Sequence, residues 1–176
     1  MVEDVVRALG YGTLGSRLKR IGEKLQAQTE EVGVQLTGAD LPASHNPVLA
    51  ALDRNGPLSI GQIAEALGQS QPGVTRMVNS LRTAGLVVGH ADETDRRINR
   101  IALTKTGEAL VHHLQETFWP QIMVAVKDAC SDLNGSLLQQ LSQLEEALED
   151  VPLKKRCSQS DSPNWAVLTR EMEKDV

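Results

Sequence analysis

Apolar residues recur along this chain at two different periods, and the switch between them divides it into parts. Leu14, Leu18, Ile21 and Leu25 repeat at helical spacing, with Val5, Val6 and Leu9 before them and Val32 after, so a long N-terminal helix is predicted. Gly10, Gly12, Gly15 and Gly22 lie within it. Each glycine costs about 1 kcal/mol against alanine in a helix interior, so either the helix breaks near residues 10 to 12 or another helix packs closely there. After "LTGADLP", the stretch "ASHNPVLAALDRNG" reads as a short helix with Val48, Leu49 and Leu52 inward and Asn55-Gly56 as its stop. "LSIGQIAEALG" opens with Ser59 and carries Gln62 three residues on, a capping-box spacing that satisfies two orphan backbone donors reciprocally. Ile60, Ile63 and Leu67 form its stripe, and a further helix follows from about Gln71 to Ala84, closed by Gly85.

Beyond Gly85 the period falls to two. "LVVGHA" and "INRIALT" read as strands joined by the polar "DETDRR". Helical spacing returns from Thr104 with Leu110, Leu114, Phe118, Ile122 and Val126, and Pro120, which lacks a backbone donor, should kink or interrupt this helix near Trp119. "SLLQQLSQLEEALEDV" places Leu137, Leu141, Leu144, Leu148 and Val151 opposite a face rich in glutamate and glutamine. The predicted fold is mainly α with a small β-wing: a winged helix-turn-helix flanked by N- and C-terminal dimerisation helices. Its expected divisions are an N-terminal dimerisation helix over 1–40, a winged lobe over 41–104, C-terminal dimerisation helices over 105–153, and a polar tail over 154–176. In the tail, Trp165, Leu168 and Met172 are spaced for a short amphipathic helix. Long helices with apolar stripes outside a compact lobe need a partner, and a second copy of the chain is the simplest.

The length of 176 residues with 40% apolar content suits one domain, or one domain with arms. Aromatics make up only 2%, which argues against a protein that stacks single-stranded bases on aromatic platforms. No basic flank with an apolar run marks an export signal, and no segment approaches the roughly 20 apolar residues of a membrane span, so a soluble cytoplasmic protein is expected. The net charge is -5, yet residues 57–107 carry six bases (Arg76, Arg82, Arg96, Arg97, Arg100, Lys105) against four acids (Glu65, Asp92, Glu93, Asp95). The basic part of an acidic chain therefore coincides with the winged lobe, as a face that meets phosphates requires.

Within that lobe "GQSQPGVTR", residues 68–76, invites three chemistries. Gly68 and Gly73 have the spacing of a phosphate-binding loop, but Val74 stands where its lysine must be. A nucleophile elbow fails as well, because Pro72 replaces the second glycine and a helix, not a strand, leads in. A DNA-reading turn remains. Gly68 ends one helix, Ser70 is expected to cap the next, and Pro72 in the first turn sacrifices no needed hydrogen bond. Gln71, Thr75, Asn79 and Arg82 then share a face, with Pro72 and Arg76 beside them and Val74, Met77 and Leu81 inward. Amide, hydroxyl and guanidinium groups suit base edges and phosphates; the plainer reading is a solvated helix face. Arg96, Arg97 and Arg100 near the ribbon's tip suit a narrow minor groove, with Asp95 orienting Arg97 by a charge-assisted hydrogen bond. The plainer reading there is a surface ion pair.

"LSIGQIAEALGQSQPGVTRMVNSLRTAGLV" followed by "DRRINRIALTKTG" resembles the MarR family of bacterial transcription regulators. The resemblance implies a homodimer, interlocked through its terminal helices, that binds a pseudo-palindromic operator in double-stranded DNA, acting as a repressor. It places Gln71, Pro72, Thr75 and Arg76 on the recognition helix, Asp95 and Arg97 on the wing, and Thr104 and Gly107 at the start of a dimer-arm helix. Thr94 departs from the pattern, standing where many members carry another wing arginine. The C-terminal part also resembles the regulator half of MarR/GNAT-type fusions, but the stretch after Arg156 is too short for an acetyltransferase.

The resemblance further implies a small, anionic aromatic effector, for which Tyr11, Arg17, His45 and Trp119 are the candidate lining; core, surface and helix-start roles are the alternative. No cofactor, regulatory metal or catalytic residue is expected. Cys130 and Cys157 do not suggest a disulfide framework or zinc knuckle, and His112 and His113 are adjacent, a poor metal clamp. Two competing functions stay open: a winged-helix protein-interaction module that does not bind DNA, and an enzyme resting on the weak Ser16-x-x-Lys19 pattern.

Overall fold

The computed structural model describes residues 2–37, 41–91 and 99–159. The chain divides into two compact units, one formed by residues 24–124 and the other by residues 1–23 with 125–176. Its helices in chain order are α1 (Val5–Ala8), α2 (Leu14–Thr37), α3 (Asn46–Asn55), α4 (Ile60–Leu67), α5 (Gln71–Thr83), α6 (Lys105–His113), α7 (Trp119–Ala129), α8 (Leu137–Asp150) and α9 (Leu153–Gln159). The strands are β1 (Leu58–Ser59), β2 (Val87–Ala91) and β3 (Asn99–Leu103). Among the described residues no helix is long and apolar enough to cross a membrane.

The 24–124 unit is built around an aliphatic core. Val48, Leu49 and Leu52 of α3, Ile63 of α4, Val74, Val78 and Leu81 of α5, Val87 and Ile101 of the strands, and Val111, Leu114 and Phe118 beyond them form one buried cluster. Each such side chain contributes on the order of 1.5–3 kcal/mol when removed from water, so this cluster dominates the unit's stability. The capping box at α4 forms as predicted: Ser59 Oγ accepts from the Gln62 N–H and Gln62 Oε1 from the Ser59 N–H. Gly56 ends α3 with φ +72°, a left-handed conformation that glycine enters without strain.

The sequence predicts a two-stranded ribbon; the sheet has three strands in the order β1-β3-β2, all antiparallel. β1 escapes a periodicity reading because it is two residues long and one of them, Ser59, is also the helix cap. On α5 the buried set is Val74, Val78 and Leu81, with Met77 only half-buried, so the inward arc is rotated slightly from the predicted one.

Thr104 and Gly107 weld the start of α6 to the turn after α5. The Thr104 N–H donates to the Leu86 carbonyl and its hydroxyl to the Gly85 carbonyl, while Thr104 Oγ1 accepts from the Gly107 N–H. Gly107 lies so close to Leu86 that a Cβ would fall 2.1 Å from that carbonyl oxygen. The interruption expected at Pro120 takes the form of a π-helical turn over Leu114–Phe118, immediately before Pro120 enters the first turn of α7. Widening that turn moves the carbonyl that the pyrrolidine ring would strike.

In the other unit, the N-terminal helix is broken, not continuous. Gly10 takes φ +51° between α1 and a 3₁₀ turn over Gly10–Thr13. The alternative of close helix packing has no counterpart among the described residues, since a Cβ on Gly12, Gly15 or Gly22 would meet open space. Asp4 ties α1 to α2: it accepts from the Arg7 N–H and holds the Arg20 guanidinium at 3.0 and 3.1 Å. That hydrogen bond from Arg20 is the main cause that lowers the Asp4 carboxyl below the ordinary 3.8.

Candidate nucleic-acid interface

The chain leaves α4 through Gly68, left-handed at φ +61° and ψ +30°, with the Gly68 N–H bonded to the Glu65 carbonyl and the Gln69 N–H to the Ala64 carbonyl. This pair of bonds is a Schellman closure, which turns the chain sharply while satisfying the last carbonyls of α4. Two residues later Ser70 stands at the N-cap of α5 in extended conformation, but its hydroxyl makes no capping bond, contrary to the sequence expectation. A capping oxygen draws on the N–H of the second or third helical residue, and the second here is Pro72. The amides of Gln71 and Gly73 therefore have no partner within the helix, at the end where the helix dipole favours an anion.

Along α5 the exposed face carries Gln71, Pro72, Thr75, Arg76, Asn79 and Arg82. Gln71 reaches back toward α4, its Nε2 3.6 Å from where a Gly61 Cβ would stand, an ordinary van der Waals distance. The Thr75 hydroxyl donates to the Gln71 carbonyl at 2.8 Å, which leaves an oxygen lone pair and a methyl group outward. Arg82 donates to Asn79 Oδ1 at 3.4 Å and reaches Gly89 of β2, where an added Cβ would lie 3.1 Å from its Nη2. Arg76 is exposed and makes no ion pair or hydrogen bond among the described residues.

Five residue pairs, from Val87↔Leu103 to Ala91↔Asn99, align β2 with β3. Asp95, Arg96 and Arg97 lie outside the described residues. Arg100 is on β3, with its guanidinium on the Pro57 carbonyl at 3.4 Å and on Gln62 Oε1 at 3.3 Å. An exposed polar face carrying Arg76 and Arg82, open amides at its N-terminus and an adjacent antiparallel strand pair thus occupy one unit. Residues 39–98, spanning α3 to the end of β2 and the segment after it, match the MarR family model.

This segment is a MarR-family winged helix. The same fold recurs in solved structures. The transcriptional regulator BldR from Sulfolobus solfataricus is 21% identical, over 85% of this chain and 100% of its own, with a TM-score of 0.60. MepR of S. aureus, solved as a DNA complex, is 22% identical over 79% of this chain and 98% of its own, with a TM-score of 0.63. BpsR of Bordetella bronchiseptica, whose DNA binding is regulated by 6-hydroxynicotinic acid, is 25% identical over 84% of this chain and 94% of its own, with a TM-score of 0.56.

The four effector candidates fall in different units. Tyr11 and Arg17 are exposed in the unit that includes residues 1–23. In the 24–124 unit, His45 is only 6% exposed, with Nδ1 3.2 Å from the Pro42 carbonyl and Nε2 without a partner among the described residues, and Trp119 is half-buried against the core. That unit also contains a small crevice of about 300 Å³, including its open mouth, lined by Thr29, Glu30, Gly33, Leu41, Ala43, Asn46, Leu110, Leu114 and Phe118. None of the four candidates lines it. Glu30 holds the Ala43 N–H at 3.0 Å and is the charged group of its wall. Sequence periodicity offered no signal for this crevice, because its walls come from segments more than 60 residues apart.

Proposed function

We propose that this protein is a sequence-specific regulator of transcription that binds double-stranded DNA as a homodimer, acting as a ligand-responsive repressor in the cytoplasm. The observation that carries the reading is the α5 face: Gln71, Thr75, Arg76 and Asn79 outward, and helix-end amides open beside Ser70 and Pro72. In this reading α5 enters the major groove, Arg76 and its neighbours meet base edges, and the Gln71 and Gly73 amides hold a phosphate. Arg96 and Arg97, the latter oriented by Asp95, reach the flanking minor groove in the same reading. The DNA complex of MepR supports the first part, and the regulation of BpsR's DNA binding by 6-hydroxynicotinic acid supports a small anionic aromatic effector. Support for the homodimer comes from apolar side chains left exposed on α2 (Leu18, Ile21, Leu25) and α8 (Leu137, Leu138, Leu148).

Titration of the protein against the promoter region of its own gene, at several salt concentrations and with excess competitor DNA, tests the reading. Steep salt dependence with competitor-resistant binding is expected. Weak binding that competitor abolishes would instead identify a protein-interaction module. Protected half-sites should be about 34–36 Å apart, one turn of the duplex.

A further inference from the structure

Arg100 belongs to the basic set expected to meet DNA, yet its guanidinium is turned toward the helix pair. Nη1 donates to the Pro57 carbonyl at 3.4 Å and to Gln62 Oε1 at 3.3 Å. Gln62 Oε1 is the same atom that accepts the Ser59 N–H at 3.0 Å in the α4 capping box. The backbone brings these groups together, because Ser59 pairs with Arg100 and Leu58 with Ile101 across β1 and β3. Those two pairs are all that β1 offers, whereas β3 pairs with β2 over five. The hairpin also presses Val87 and Ile101 into the core, but apolar contacts are non-directional and resist sliding less than separation. A charged Nη1 that donates to acceptors on both sides of β1, the Pro57 carbonyl before it and Gln62 Oε1 after it, is directional and resists such sliding.

We infer that Arg100 is a positioning residue that sets the wing hairpin against α4, and through the Gly68 turn against α5, rather than a residue that touches DNA. This inference rests on the DNA-binding reading above. Lysine keeps the charge on a compact, strongly hydrated ammonium with a shorter stem that does not occupy the Nη1 position, so Arg100→Lys separates the two roles.

The test compares the full-length chain with Arg100→Lys, Arg100→Gln, Gln62→Ala and the Gln62→Ala/Arg100→Gln double variant on the promoter fragment bound by the unaltered protein. Each single substitution should weaken binding roughly tenfold, the size expected for a lost charge-assisted hydrogen bond. The double variant should lose less than the sum of the two single losses, because both remove the Arg100–Gln62 contact while Gln62→Ala alone also removes the bond to the Ser59 N–H. Hydroxyl-radical footprints should lose protection on the wing side, while guanine N7 protection beneath α5 persists; simple destabilisation would reduce both together. Near-normal binding by Arg100→Lys, with a salt slope lowered by about one in Arg100→Gln, would mark a direct phosphate contact and overturn the proposal. Additive losses in the double variant would overturn it as well. If Arg100→Gln does not fold, Arg100→Lys and Gln62→Ala carry the comparison. Absence of specific binding by the unaltered protein would refute the DNA-binding reading instead. Hydrogen exchange at the β1 and β3 amides then decides the tie itself: faster exchange in Arg100→Lys and Gln62→Ala, with α5 unchanged, supports it, and unchanged exchange overturns it.

Discussion

Gly107 shows how much one missing methyl group decides. A Cβ there would stand 2.1 Å from the Leu86 carbonyl oxygen and 3.3 Å from Leu103 Cδ2, and the same segment carries the Thr104 bonds that close α6 onto the turn after α5. Gly107→Ala must therefore push α6 off the Leu86 backbone. It should lower stability by about 3 kcal/mol, near the upper end for overpacking, read as a drop in the denaturant midpoint. Gly22→Ala makes the opposite case. Gly22 lies inside α2 with open space around its Cα, so the substitution should add up to about 1 kcal/mol by removing backbone freedom from the unfolded chain. At the interface, Arg76→Ala should weaken operator binding by about 1–3 kcal/mol and relax base preference at one position. An unchanged binding-site selection profile for that variant would remove Arg76 from the reading set.

At the scale of elements, the helix-turn-helix was legible from sequence because its signals are local. Ser59 and Gln62 make the capping box, Gly68 and Gly85 end their helices, and the aliphatic stripes face inward as their spacing demands. The connections between elements were less legible. β1 is defined by its pairing with residues over forty positions away, and the Ser70 cap failed because Pro72 removes one of the donors it needs. The α1–α2 tie was likewise invisible, since Asp4 and Arg20 share no periodic pattern. That tie gives a pH signature. The Arg20 hydrogen bond lowers the Asp4 carboxyl below 3.8, so the contact is complete above that pH and is lost as pH falls through the lowered folded value. A carboxyl-carbon NMR titration should find the Asp4 midpoint below 3.8, and Arg20→Ala should return it to about that value.

For the whole molecule, the charge pattern and the exposed apolar stripes point the same way. The chain is acidic overall at -5, while residues 57–107 carry six bases against four acids, and on the DNA-binding reading this asymmetry favours oriented binding over coating. Leu18, Ile21 and Leu25 along α2 are 39%, 46% and 41% exposed, a continuous strip that water disfavours. Sedimentation at micromolar concentration should give twice the 19.1 kDa chain mass, and Ile21→Asp should return the protein to one chain. A single-chain mass for the unaltered protein would defeat the homodimer. The sequence by itself determined the order of elements, the winged-helix class and the residues on the exposed face of α5, because helix caps, stop signals and apolar periods act over a few residues and need no knowledge of the fold. Only the tertiary structure decided that Arg100 faces Gln62, that Gly107 lies on Leu86, that Gln71 reaches back toward α4, and that a crevice opens beside Glu30. Each of these depends on which distant segments become neighbours, and that is set by the packing of the whole core, not by any short stretch of the chain.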